Sequence, residues 1–173
     1  MEAVPLSLTK LALALGVSLL LLVGGAAMAI FGVSFIKAGF ASKSWPTATG
    51  EIRHTRIVSE RSSNSSSRSY SARVTYAYAV EGRTYTSRRY SLGDGSSTGK
   101  RYSSHPKAFR ATEETYPVGK SLPVYYDPTD PTSAVLKPGP TFGTYVPIVL
   151  GSLFFTSGLV AAIATLRPVL AQR

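Results

Sequence analysis

Two long runs without a single charged residue constrain this chain more than any other feature. Leu11 to Ile36 (LALALGVSLLLLVGGAAMAIFGVSFI) and Thr141 to Leu166 (TFGTYVPIVLGSLFFTSGLVAAIATL) each cover 26 positions, where crossing the hydrocarbon core takes roughly 20. In lipid every backbone N–H and C=O must find its partner inside the segment, so both runs are expected to be membrane-spanning helices. The division that follows is a tail at 1–10, a span at 11–36, a connecting domain at 37–140, a second span at 141–166 and a tail at 167–173. The rival reading of the first run is a cleaved signal peptide, with Lys10 as its positive flank and Ala27, Met28 and Ala29 as its small-residue site. A signal's apolar core covers about 7 to 15 residues, whereas this run continues to Ile36, so a retained helix is expected.

The connecting domain is basic. It holds 16 of the 19 Lys and Arg against 8 acids, a net charge of +8. That balance favours anionic neighbours such as lipid head groups or envelope polymers. The charges alternate with Ser, Thr and Tyr rather than forming blocks, and the interleaving matches no RNA-binding signature, so nucleic acid is not an expected partner. The absence of cysteine excludes disulfides and thiolate chemistry.

Within the domain, Lys43 and Trp45 stand where the chain is expected to leave the bilayer, since an indole ring suits that boundary. A strand is expected over Thr49 to Val58, with Ile52, His54, Arg56 and Val58 on one face. The serine run from Ser59 to Ser71 has nothing to bury and reads as a mobile loop. The strongest local signal is RVTYAYAV, Arg73 to Val80, where Val74, Tyr76, Tyr78 and Val80 recur with period two. Glu81 and Gly82 supply a two-residue turn, and Arg83 to Tyr90 returns antiparallel, which sets Tyr78 opposite Tyr85 and Val80 opposite Arg83.

GDGSSTGKR, Gly93 to Arg101, imitates a phosphate-binding loop. Aligned on Gly99 and Lys100, it has Asp94 where the first glycine belongs and Arg101 where Ser or Thr is needed. It therefore reads as a flexible loop, not a nucleotide site. Lys107 to Thr115 suits a short helix after Pro106 with Phe109 as its anchor. Leu122 to Tyr126 suits a strand, DPTDP from Asp127 to Pro131 a turn, and Ala134 to Leu136 a last short strand. The expected architecture is a membrane-anchored chain with two helices flanking a small, mainly β domain of about five strands and one short helix.

Three stretches carry a family resemblance. WPTATG, with Trp45, Pro46 and Gly50, the VEGRTY hairpin around Gly82, and ETYPVGKSLPVYYDPTDPTSAVLKPG, with Tyr116, Gly119, Tyr125, Tyr126, Asp127, Pro128, Pro131 and Gly139, resemble a largely bacterial membrane family known as domain of unknown function 3592. The resemblance covers about Trp45 to Gly139 and implies a β-rich domain held between two spans in a bacterial plasma membrane. It brings no activity, so it assigns no catalytic residue and no cofactor.

Direct search for chemistry is equally spare. His54 and His105 stand far apart in sequence and outside any metal-ligand spacing. Glu113 and Glu114 are adjacent on a helix and point apart, and Asp127 and Asp130 are explained by turn geometry. No catalytic, metal or cofactor role is expected. The function expected is a non-enzymatic interaction or assembly module, docking on another membrane or envelope protein or on itself. The alternative is a basic ligand-binding domain, with Lys43, Arg53, Arg56, Arg88 and Arg89 facing anionic lipid or polymer. Gly25 with Ala29 and Gly158 with Ala162 permit close helix approach, either to another protein or between the chain's own two helices. Richness in Ser, Thr and Tyr without Cys favours an extracytoplasmic domain.

Overall fold

The alternation of RVTYAYAV is realised in a computed structural model that describes residues 8–61 and 68–170. The elements run α1 (Leu8–Ala41), a 3-10 turn (Ser42–Ser44), β1 (Thr47–Arg61), β2 (Arg68–Val80), β3 (Arg83–Ser87), β4 (Ser97–Tyr102), α2 (His105–Thr115), β5 (Ser121–Tyr126), β6 (Ala134–Val135) and α3 (Phe142–Leu170). Two long apolar helices thus flank a mainly β domain, and the chain is membrane-anchored. The described residues form two compact units, one from the helices up to Phe35 and from Tyr145, the other from Ile36 to Thr144.

In the first unit the small residues are taken up by packing of α1 on α3. A side chain on Gly25 would run into the backbone of Phe155 and Gly151, one on Gly32 into that of Ile148, and one on Gly158 into Leu22 and Ser18. Gly151 in turn lies against the backbone of Ala29. Glycine at these sites lets two backbones approach where lipid offers no hydrophobic drive to associate. Leu13, Leu20, Val149 and Leu153 are exposed, as lipid-facing side chains are.

In the second unit the sheet has the order β3-β2-β1-β5-β6, with β4 also paired to β2. Glu81 and Gly82 both have positive φ, 49° and 76°, the conformation a two-residue hairpin turn needs to match strand twist. Tyr78 faces Tyr85 and Val80 faces Arg83, as the turn register predicts, and the Tyr78 and Tyr85 rings stack with centroids 5.7 Å apart. The core consists of Ile52, Val74, Tyr76, Tyr78, Val80, Val124 and Ala134, with Leu122, Tyr116 and Tyr126 packed against it.

Tyr76 is fully buried. Its hydroxyl lies 2.8 Å from the Arg89 carbonyl and 3.0 Å from that of Ala134, sharing one proton between them. Since Arg89 follows β3 and Ala134 opens β6, this side chain ties together the two ends of the sheet. The Tyr90 carbonyl closes the same seam, accepting from Leu136 N at 3.0 Å and Lys137 N at 2.8 Å. The Tyr78 hydroxyl donates to the Pro131 carbonyl.

Motif residues serve this frame. Trp45 is half-buried at the end of the 3-10 turn, and the Pro46 carbonyl accepts from Tyr126 N. Gly50 faces Tyr78, and a Cβ there would strike the Val124 side chain. Gly119 N donates to the Ile52 carbonyl. Tyr125 pairs with Val135 in the ladder. Asp127 accepts from Thr129 and Asp130 from Thr132, each through amide and hydroxyl, which fixes the turn around Pro128 and Pro131. Gly139 N donates to the buried Ser42 Oγ at 2.8 Å.

Several expectations are corrected. One strand is added to the five expected: Ser97–Tyr102, expected within a flexible loop, forms β4 against Tyr70, Ser71 and Arg73 of β2. Pairing with an established strand, not its own propensity, makes that segment extended. Gly93, ahead of it, lies so close to Thr141 and Thr144 that a side chain would overlap them, so this glycine answers a backbone contact, not a phosphate. The serine loop is shorter than 59–71, since the β1–β2 ladder continues to Arg61 and Arg68; the rest of it, Ser65 included, falls outside the described residues. The anchors of α2 are Ala108 and Thr112, both buried, while Phe109 is 47% exposed. Small residues bring the helix axis close to the sheet and leave the phenyl ring at the margin.

The last correction concerns β1. Its pairing with β2 slips between Ile52 and His54: Ile52 faces Tyr76 but His54 faces Thr75. This bulge at Arg53 inserts one residue and reverses the facing of everything beyond it. Ile52 enters the core, whereas His54, Arg56 and Val58 turn to the opposite face.

Candidate functional site

The bulge creates the basic cleft. With Arg56 turned away from the core, it stands directly opposite Arg73 across the β1–β2 ladder. Arg88, just past β3, lines the same space, as do His54, Thr75 and Ser96, around a cleft of about 450 Å³. Like charges set opposite each other in a ladder are destabilising, by roughly 0.2–1 kcal/mol. One carboxylate approaches: Glu60 lies 3.8 Å from Arg73, with both side chains about half exposed, a pair of little strength in water. Arg56 and Arg88 take part in no ion pair among the described residues.

The other sequence candidates go elsewhere. Arg53 pairs with Glu51 at 3.0 Å. Arg89 donates to Ser133 Oγ at 3.2 Å and joins Arg88 along a shallower, open recess with Thr86 and Thr132. Lys43 lies along Gly139, with its ammonium 5.4 Å from the centre of the Phe40 ring. Of the five candidate cations, two therefore converge in the cleft, and Arg73 joins them unanticipated. Only the shifted register makes it face Arg56, so no local pattern flags it.

A second concavity, about 630 Å³, runs between β1 and α2. It brings together His54 and His105, far apart in the sequence, with Ile57, Phe109, Tyr116 and Val118. The His105 ring stacks on Phe109 at 6.5 Å and meets the edge of Tyr70 at 5.9 Å. Among the described residues, no group of three or more His, Cys, Asp or Glu is placed to hold a metal ion.

The titration shifts belong to the frame. Burial pushes the Tyr76, Tyr78 and Tyr116 hydroxyls above the usual phenol range, aided at Tyr116 by the contact with Tyr90. The Thr129 hydroxyl and amide hold the Asp127 carboxyl below its ordinary value.

Among curated proteins, no match to the chain is found. A family model described as a domain of unknown function (DUF3592) matches residues 48–141, which is just over half of the chain and includes α2, β2 to β6 and all of β1 but its first residue. The chain belongs to this family, often bacterial and of unknown function.

Proposed function

We propose that the chain is a non-enzymatic, membrane-anchored binding module of a bacterial plasma membrane, with its β domain extracytoplasmic and its basic cleft taking an anionic lipid head group or envelope polymer. The carrying observation is Arg56 set opposite Arg73 with Arg88 beside them. Such an arrangement costs stability when empty and is relieved by a bound anion, to which guanidinium groups offer paired donors. Support for a non-catalytic role is that the shifted Tyr76 and Tyr78 are held by backbone carbonyls, Tyr116 by the Tyr90 hydroxyl, and the paired aspartates by their own turn. The test is titration of the intact chain, in nanodiscs of neutral lipid, with inorganic polyphosphate, and its capture by vesicles of anionic lipid. Replacing Arg73 and Arg88 together by alanine is expected to weaken one of these by about tenfold or more, and moderate salt to do the same through screening. Equal affinity of the double variant for both probes overturns the reading.

A second reading, the interaction or assembly module, is favoured by a separate observation: Phe109 and Val118 are 47% and 66% exposed beside the β1–α2 groove. Docking there is expected to resist salt.

A further inference from the structure

The basic cleft does not end at Arg88. That arginine and Ser96 also border the open recess of about 520 Å³ at the end of β3, where Thr86 and Arg89 stand. Cleft and recess therefore meet, and four guanidiniums follow one another across the join. Arg56 faces Arg73 across the ladder, about 5 Å away between backbones. Arg88 comes one place after Ser87, which faces Tyr76, so it lies diagonally beyond Arg73 at about 7–8 Å. Arg89 is next, donating to Ser133 Oγ at 3.2 Å through one of its five N–H groups. Carboxylates border this track but none lines it. Glu60 is 3.8 Å from Arg73 and Glu51 is taken by Arg53. Asp94 accepts from Ser91 at 2.9 Å and Asp130 from Thr132 at 2.6 Å, while Glu113 lines the groove beside α2, which Arg56 also touches. Among the described residues, Arg56, Arg88 and Arg89 form no ion pair with any of them.

We infer that cleft and recess form one track for a linear polymer of repeating phosphates, with Arg89 as a contact that a single head group in the cleft does not reach. The inference rests on the anion reading of the cleft and names the polymer, not the lipid, as its occupant. Three features select it. The cations are laid out over about 12 Å before Arg89 is reached, a path that suits repeated charges better than one. No Phe, Tyr or Trp lines it, so bases of a nucleic acid would find no ring to stack on. Hydroxyls of Thr75, Thr86 and Ser96 stand between the guanidiniums; an internal phosphate, with more oxygens than a carboxylate, engages a guanidinium fork and a hydroxyl together.

The experiment titrates the intact chain, in nanodiscs of neutral lipid, with tripolyphosphate and with a polyphosphate of about fifteen units. The longer chain is expected to bind about a hundredfold tighter or more, beyond the roughly tenfold that its extra registers alone supply, because each further contact is made within one complex. Arg89→Gln, at an exposed site, should weaken the long polymer about fivefold and lower the slope of log affinity against log salt by about 0.7, the loss of one phosphate contact on a single strand. It should leave tripolyphosphate within about twofold. Poly-glutamate or a single-stranded oligonucleotide of matching charge should bind about tenfold more weakly than the long polyphosphate. A length effect of tenfold or less, an Arg89→Gln change that is absent or equal for both lengths, or equal binding of either comparison polymer overturns the inference. If tripolyphosphate and anionic vesicles then still respond to Arg73→Ala with Arg88→Ala, the cleft reading stands with a head group as its occupant; if neither responds, that reading falls as well.

Discussion

Tyr76→Ala is expected to unfold the β domain. The side chain is fully buried and bridges the two ends of the sheet, and truncating a large core side chain costs about 3–5 kcal/mol. A domain of this size has on the order of 5 kcal/mol to lose. Tyr76→Phe keeps the ring and removes only the shared donor, leaving the Arg89 and Ala134 carbonyls short of a partner, a loss of about 1–3 kcal/mol. Tyr78→Ala, which gives up the Tyr85 stack and the Pro131 bond, should fall close to Tyr76→Ala. Lys107→Ala, on the exposed side of α2, should stay within about 0.5 kcal/mol of the parent. Denaturant unfolding of the intact chain in detergent, followed by near-ultraviolet circular dichroism of the tyrosines, orders the four; equal midpoints for Tyr76→Ala and Lys107→Ala would refute the assigned core.

The same tyrosines set an alkaline limit. Their folded-state pKa values are raised above the unfolded value of 10.0, so the contribution is fully present below pH 10 and is lost as pH climbs from there towards the folded values, where the unfolded chain ionises first. Midpoints measured from pH 8 to 11.5 should hold steady and then fall, and Tyr76→Phe should flatten part of that fall. A midpoint independent of pH above 10 would contradict the burial of all three hydroxyls.

Gly25→Leu is expected to separate α1 from α3, whereas Gly24→Leu, one residue away, is not. The Cβ position of Gly25 is occupied by the backbone of the facing helix, while nothing lies within 4 Å of that of Gly24. Both changes raise intrinsic helix propensity by nearly 1 kcal/mol, so a difference between them reports packing alone. The chain has no cysteine, so spin labels on Leu20→Cys and Val160→Cys, both lipid-exposed, read the separation directly. Gly25→Leu should lengthen or broaden that distance by about 2–4 Å, because a leucine at the contact imposes the ordinary interaxial distance of about 8–10 Å. An unchanged distribution would place the helix contact on another face.

Composition alone made the spans legible, since no other structure hides 26 uncharged residues twice in so short a chain. The hairpin was legible because Val74, Tyr76, Tyr78 and Val80 share a period and Glu81-Gly82 names its turn. What sequence concealed was decided by pairing. Ser97–Tyr102 carries no strand signal of its own and is extended by β2. Phe109 outranks Ala108 on any apolar scale, yet the smaller residue seats the helix. At the candidate site, charge marked Arg56 and Arg88, but Arg73 needed a register that no periodicity reports, and Lys43, Arg53 and Arg89 were drawn off by neighbours that only folding supplies.

The extra residue at Arg53 has an evolutionary reading. On an uninterrupted strand, the row that fills the core and the row that meets a partner are fixed together, so selection on one restricts the other. With the bulge, the stretch before it answers to folding and the stretch after it answers to whatever docks. Straightening the strand with Arg53 kept would exchange the two rows beyond it, setting His54 and Arg56 against the core while Thr55 and Ile57 turned outward, whereas deleting Arg53 would restore regular pairing and leave His54 opposite Thr75 as it is. Gain or loss of the bulge with the number of residues unchanged therefore exchanges the outward row wholesale, a larger step in specificity than any point substitution along β1 that leaves the bulge in place can make.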